Sequence, residues 1–343
     1  MKLYELTIRP VSGFGTPLKG DTLFGHFCWQ AAYDEKLLNG GLDKWIDCYS
    51  ENPCVIFSSA WPKLNDKENW YYAMKRPDLP LGYLFLRTNK DCRKAMTEKK
   101  DNAAKKWMLV PEDLCITKSR MLFKNNAELM EMMFQGVTDE TKKAMRGKPK
   151  KLLMKEHIQP HNTINRLTDT TGEDMFAPYQ QTAEFYYPET ELAIFVLINA
   201  EATDIERVKL AMERIGQFGF GKDSSTGWGR FDVCENGEKT FPPIDNANAC
   251  YTLAPSLPEQ GLYRDWYFSP FTRFGRHGDR LARSENPFKN PVIMADEGAV
   301  LIPENVRDMT KPYLGRPAFN VSKAMPKAVV QGYTPWLPFK LEI

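Results

Sequence analysis

The sequence predicts an α+β protein, and three observations carry that prediction. Residues 2–10 alternate apolar and polar side chains and lead into a segment of helical period. Residues 191–199 form an unbroken apolar run of strand length, again followed by a helical period. A short alternating stretch, residues 230–235, closes the second unit after a glycine-rich loop. Two strand–helix–strand units in this order make the ferredoxin-like β-α-β-β-α-β pattern, an antiparallel sheet backed by two helices, with the glycine-rich loop between the second helix and the last strand. Many RNA-binding modules share it.

In the first strand Leu3, Glu5, Thr7 and Arg9 face away from Tyr4, Leu6 and Ile8. In the helix that follows, Asp21 or Thr22 is the cap, Leu23, Phe24, Phe27, Cys28 and Ala31 share one face, and Asn39-Gly40-Gly41 is the stop. Residues 53–57 and 81–86 read as further strands. The run 191–199 suits the centre of a sheet. Thr203 and Glu206 form a capping-box pattern for the second helix, whose Ile205, Val208, Met212 and Ile215 recur at helical spacing. After residues 230–235 comes Asn236-Gly237, a hairpin signal.

Composition narrows the class. A hydrophobic share of 42% suffices for a packed core, and the length suits about two domains. No apolar run reaches the roughly 18 residues that cross a bilayer, and the first residues lack a signal-peptide core, so a soluble cytoplasmic protein without membrane contact is expected. The seven cysteines are scattered, with no Cys-x-x-Cys pair. They read as reduced thiols; no metal site and no cofactor are expected.

The net charge of +2 hides a strong division. Residues 87–155 hold 18 cations against 9 acids, while residues 156–260 hold 7 against 17. The basic stretch includes Lys99, Lys100, Lys105, Lys106, Lys118, Arg120, Lys142, Lys143 and Arg146, with Trp107 and Phe123 among them. It reads as an insertion that lies against a polyanion, or as solvated surface.

The densest chemistry is in residues 219–231. Gly219, Gly221, Gly227 and Gly229 allow positive φ and close backbone approach, so that N–H groups can point at phosphate oxygens. Ser224, Ser225 and Thr226 add small donors, and Lys222 and Arg230 add charge at either end. The alternative is a flexible turn. A nucleotide-binding P-loop is disfavoured although Gly216 to Lys222 has its spacing: Asp223 stands where a hydroxyl should meet magnesium, and the loop follows a helix rather than a strand. A second cluster, residues 156–168, crowds Asn162, Asn165 and Arg166 before a turn at 169–172; these groups suit base edges and phosphate, or bond to one another within a loop. Residues 271–277 repeat the aromatic-plus-arginine theme more weakly.

Three stretches together resemble one family. They are residues 15–26 (Gly-Thr-Pro-Leu-Lys-Gly-Asp-Thr-Leu-Phe-Gly-His), residues 161–166 (His-Asn-Thr-Ile-Asn-Arg) with Thr170-Thr171-Gly172, and the glycine loop. Taken in this order they resemble the RAMP-superfamily subunit that caps the guide RNA in type III-A CRISPR (Csm) effector complexes. The similarity extends to Ser284-Glu285-Asn286-Pro287-Phe288-Lys289; residues 276–278 fit it poorly.

The resemblance implies a non-catalytic RNA-binding subunit that holds the repeat-derived 5′ handle of the crRNA. Its partners would be the large polymerase-like CRISPR subunit and a backbone-forming RAMP subunit, with target RNA reached through the complex. The implied RNA contacts are Lys19, Gly20, Asn162, Asn165, Arg166, Gly219, Gly221, Lys222, Ser224, Ser225, Thr226, Gly227, Gly229 and Arg230. A thumb-like element would sit in the basic insertion 87–155. Residues 1–240 would form the first ferredoxin-like domain and residues 241–343 a second, smaller one.

Two other readings stay open. A crRNA-processing, metal-independent endoribonuclease needs a base for the 2′-hydroxyl, and His26 is the candidate: helical geometry puts it about 140° from the apolar stripe, off the core. A structural adaptor would pack the glycine loop against a protein neighbour instead.

Overall fold

The strand periods of the sequence become a seven-stranded sheet that holds both helices and the glycine loop in place. The computed structural model describes residues 1–66, 69–85, 91–117, 120–173, 176–244, 247–305 and 309–341. In chain order the elements are β1 (Lys2–Pro10), α1 (Gly20–Tyr33), α2 (Gly41–Asp47), β2 (Val55–Asp66), β3 (Asn69–Lys75), α3 (Leu81–Leu84), α4 (Cys92–Ala104), β4 (Trp107–Pro111) and β5 (Leu122–Lys124). Then follow α5 (Asn126–Gly136), α6 (Asp139–Ala144), β6 (Met154–His161), β7 (Tyr179–Tyr186), β8 (Glu191–Ile198), α7 (Ile205–Phe218) and β9 (Phe231–Lys239). The remaining strands are β10 (Ala249–Thr252), β11 (Tyr263–Tyr267), β12 (Pro270–Arg273), β13 (Val292–Ala295), β14 (Val300–Pro303), β15 (Tyr313–Gly315) and β16 (Tyr333–Phe339).

The large sheet has the order β5-β4-β3-β2-β8-β1-β9. Its middle strands β2, β8, β1 and β9 are antiparallel neighbours, and α1 and α7 connect them in the order β-α-β-β-α-β. Central β8 is buried from Leu192 to Ile198, as its apolar run requires. Helix α7 buries Val208, Ala211, Met212 and Ile215 on one stripe, the spacing that predicted it.

A second sheet, β11-β14-β10-β16-β15, shares this core: Tyr251, Val300, Leu337 and Phe339 belong to the same buried cluster as Leu6, Phe195 and Phe57. Gln331 locks the two sheets by accepting from the Phe57 amide (2.9 Å) and donating to the Phe57 carbonyl (2.8 Å).

Several expectations are corrected. Residues 241–343 contain no α-helix among the described residues, only strands and one short 3-10 segment (Asp279–Arg283), so they form a mainly β layer without the two helices of a second ferredoxin-like unit. Asn236-Gly237 makes no turn, because β9 runs through it while paired to β1, with Asn236 opposite Leu6 and Gly237 opposite Glu5. Residues 81–84 form the single helical turn α3 after Pro80 rather than a strand; Leu86 lies outside the described residues. Helix α1 starts two to three residues earlier than expected, with Lys19 rather than Asp21 or Thr22 in the cap position and no side-chain cap bond. It ends at Tyr33, and Gly40 at φ 85° instead turns the chain into α2. Asp204, not Thr203, caps α7 by accepting from the Arg207 amide (3.0 Å); the Thr203 hydroxyl is drawn away to the Leu37 carbonyl (2.7 Å).

The described residues of the basic stretch, 91–117 and 120–155, are folded: β4 and β5 extend the sheet, α4 buries no residue, and α5 opens with an Asn125/Glu128 capping box. Lys99 and Lys100 are exposed, and Lys118 lies outside the described residues. The extended element begins only at the end of this stretch, where β6 and β7 pair over eight residues as a ribbon. Seven of the eight β6 residues are exposed, whereas β7 buries Gln181 and Ala183 at the ribbon base. The extended element is therefore the β6–β7 ribbon, which follows the basic insertion rather than lying within it. Among the described residues no helix is long and apolar enough to cross a membrane, and no cluster of three or more His, Cys, Asp or Glu side chains could hold a metal.

Candidate nucleic-acid interface

The glycine loop is clamped by the turn that follows β1 and by α1, about 200 residues earlier. The Gly221 amide donates to Nε2 of His26 (3.0 Å), and the Lys222 amide donates to Oγ1 of Thr16 (2.9 Å). The Gly229 amide donates to the Gly13 carbonyl (2.7 Å), and the Arg230 amide donates to Oγ of Ser12 (2.9 Å). The Phe220 amide closes the loop on the Gly229 carbonyl (2.9 Å). The amides of Gly219, Thr226 and Gly227 are likewise spent on Ile215, Asp223 and Ser224 carbonyls.

This corrects the idea of a backbone cradle, because most amides that were to face phosphate hold the loop to the protein instead. Only those of Asp223, Ser224 and Ser225 carry none of these bonds. The glycines serve close approach. A Cβ on Gly229, at φ 72°, would lie 2.1 Å from the Phe220 carbonyl oxygen, and one on Gly221 would lie 2.5 Å from the Thr16 side chain.

What the loop offers outward is side chains. Lys222 is 58% exposed, and its ammonium lies 3.7 Å from the Asp223 carboxylate, which offsets part of its charge. Arg230 is exposed and, like the Ser224 and Ser225 hydroxyls, has no side-chain partner among the described residues. The Thr226 hydroxyl is committed to the Asp223 carbonyl (2.8 Å). Phe218, 73% exposed at the end of α7, stands immediately before the loop. It escaped the sequence reading because helix periodicity assigns it no special role. A ring left in water beside cations was the signal available.

Lys19 and Gly20 do other work. The Lys19 ammonium is 12% exposed and held by the Asp296 and Glu297 carboxylates (2.6 Å to Oε1 of Glu297), and it lies 4.5 Å above the Phe271 ring. A cation so paired has no face left for phosphate. Burial pushes the Glu297 carboxyl up to about 7, with the Lys19 cation opposing and Asp296 adding to the rise. A Cβ on Gly20 would sit 2.3 Å from the Phe57 carbonyl, so this glycine lets α1 start against β2.

Asn162, Asn165 and Arg166 lie at the far end of the ribbon. Asn162 and Arg166 are exposed, whereas Oδ1 of Asn165 accepts from the Leu167 amide (2.9 Å) and shapes the tip. The ribbon base is tied to the clamped turn, since Phe14 and Glu184 exchange amide–carbonyl bonds (both 2.9 Å). From Glu184 to the last pair, His161 with Tyr179, the strand rises about 17 Å. The structure thus sets loop and tip at two ends of one arm, rather than at one point.

His26 is not the exposed residue that helical geometry suggested. Its ring packs 4.6 Å from Phe220, and its lone pair is used by the Gly221 amide. Burial, with the Lys289 cation nearby, pushes its pKa down to about 4. A base this weak, with its acceptor atom occupied, is badly placed to take a proton from a 2′-hydroxyl.

No family model and no curated protein matches the sequence. Solved structures do match its fold. A structure of the Csm1-Csm4 cassette in complex with pppApA aligns at a TM-score of 0.53 and 14% identity, covering 100% of this chain and 99% of that chain. The same cassette in complex with cA4 gives 0.53 and 15%, covering 100% of both. A Csm3-Csm4 subcomplex of the type III-A CRISPR-Cas interference complex gives 0.52 and 14%, covering 99% and 100%. Csm4 is the component common to these assemblies, so the chain matches the fold of Csm4 over its full length, a mixed α+β architecture with antiparallel sheets.

Proposed function

We propose that this chain, with the Csm4 fold over its whole length, is a non-catalytic RNA-binding subunit of a cytoplasmic type III-A effector complex. It holds the 5′ handle of the crRNA and bridges a Csm1-like large subunit to a Csm3-like filament subunit. The domain division at about residue 240, and the reading of the β2-β8-β1-β9 core as ferredoxin-like, belong to the same proposal.

One observation carries it: a loop immobilised by its own amides presents Lys222, Arg230, Ser224 and Ser225 outward, with no acid closer than Asp223 among the contacts of Lys222 and Arg230. Cations and hydroxyls carried on a fixed backbone bind an irregular phosphate chain without the cost of ordering the loop. Asn162 and Arg166 at the ribbon tip supply a second contact further along the strand. Lys19 acts indirectly, by tying the start of α1 to the β13–β14 turn.

Extraction of nucleic acid from the assembled complex tests this. A co-purifying RNA with a defined 5′ sequence that photocrosslinks within residues 218–230 is the expected result. An assembly that forms normally with the loop far from any nucleotide would refute it and favour the adaptor. Cleavage of repeat RNA by the purified chain, abolished by His26→Ala, would favour the nuclease.

A further inference from the structure

The β12–β13 ribbon continues beyond its named strands. The Lys289 amide donates to the Gly275 carbonyl (2.8 Å), Arg276 bridges Phe288, and the His277 amide donates to the Pro287 carbonyl (2.8 Å). Alternation along this ribbon sorts its side chains onto two faces. One face docks on the start of α1: Nη2 of Arg273 holds Oδ1 of Asp21 (2.8 Å), and the Phe271 ring lies beneath Lys19. The other carries Phe274, Phe288 and Ile293, which are 76%, 68% and 69% exposed. The Arg276 guanidinium lies 5.4 Å from the centre of the Phe288 ring.

Three large apolar side chains in water on one short ribbon contribute nothing to the core and mark a surface kept for a ligand. Its electrostatics narrow the choice. Arg276, Arg280 and Arg283 outnumber Asp279 and Glu285 on this hairpin, and the Asp279 carboxylate is turned to the Tyr33 hydroxyl. Exposed rings interleaved with guanidinium groups take successive bases on the rings and phosphates on the cations.

We propose that the Phe274–Arg276–Phe288 face is a base-stacking platform for single-stranded RNA, a second wall beside the glycine loop. It rests on the RNA-binding reading above for the identity of the polyanion. The hairpin that carries the platform also reaches towards the element that holds the loop: Lys289, packed at Gly275 on the face turned to α1, acts electrostatically on His26, and His26 holds Gly221 of the loop. The platform reads no sequence, since every base offers a π face.

The test is binding of the full chain to a fluorescein-labelled decaribonucleotide of unpaired mixed sequence, followed by anisotropy across a salt series. Phe274→Ala and Phe288→Ala are each expected to weaken binding about 5- to 100-fold with the salt dependence unchanged, and Phe274→Trp is expected to retain it. Both rings are exposed, so an unchanged unfolding midpoint shows that the variants fold. Lys222→Ala and Arg230→Ala, measured alongside, report on the loop. Wild-type affinity in the ring variants with weakened loop variants overturns the platform and leaves the loop reading intact. Weakened ring variants with unaffected loop variants support the platform and sink the loop. Absence of binding by the wild-type chain overturns both. Ring variants that keep RNA affinity but lose self-association in sedimentation would make this face a protein contact, and overturn the platform.

Discussion

Nε2 of His26 accepts the Gly221 amide at 3.0 Å, joining the middle of α1 to a loop 195 residues away. This bond helps the loop keep its shape, while burial, with the Lys289 cation nearby, keeps the imidazole neutral.

His26→Ala leaves the Gly221 donor unpaired and should cost about 1–3 kcal/mol of stability at pH 7. His26→Gln, which can still accept from that amide, should cost less. The pH dependence follows from the lowered pKa, about 4 when folded against 6.5 as the ordinary value. As pH falls from 6.5 towards 4 the unfolded chain gains a proton that the folded chain refuses, so stability drops, by up to about 3 kcal/mol. Above pH 6.5 this loss is absent. Urea unfolding at pH 7 and pH 4.5 should show His26→Gln losing less on acidification than the wild type.

Gly229→Ala and Gly227→Ala should separate close approach from backbone strain. Both glycines have positive φ, 72° and 97°, but a Cβ on Gly229 meets the Phe220 carbonyl at 2.1 Å whereas one on Gly227 meets nothing within 4 Å. Gly227→Ala should cost about 1–2 kcal/mol for conformation alone, and Gly229→Ala measurably more. Denaturant midpoints at constant m-value decide this.

Lys19→Ala should destabilise the chain by about 3–5 kcal/mol, because it strands the Asp296 and Glu297 carboxylates in a largely buried position. A modest effect on unfolding, with a strong loss of RNA affinity in folded protein, would show instead that Lys19 touches phosphate.

Lys222→Ala and Arg230→Ala should each lower the slope of log affinity against log salt by about 0.7, the value for one phosphate contact on a single strand. Stability should change by no more than about 0.5 kcal/mol, since both side chains are exposed. Anisotropy titrations at several salt concentrations read the slope, and an unchanged slope in both variants would favour the adaptor.

What was legible in the sequence was local. The alternation of Leu3 to Arg9, the apolar run to Ile198, and the stripe Val208–Met212–Ile215 each found the element that period requires. What was not legible depended on a distant partner. Asn236-Gly237 signals a turn until β1 lies alongside and takes it into a ladder. Thr203 is a good cap until the Leu37 carbonyl competes for its hydroxyl. Residues 241–343 offered no helix period and were assigned one only through resemblance.

By itself, then, the order of residues determined which segments are strands and helices, where the glycines cluster, and which ends of that cluster carry charge, because these follow from neighbours a few positions apart. Tertiary structure alone decided which donors remain for a ligand. Each amide in residues 219–230 has one hydrogen to give, and whether Ser12, Gly13, Thr16 or His26 stands near enough to receive it is a matter of folding. The same holds for Lys19, whose charge was plain in the sequence and whose partners, Asp296 and Glu297, came from some 280 residues away.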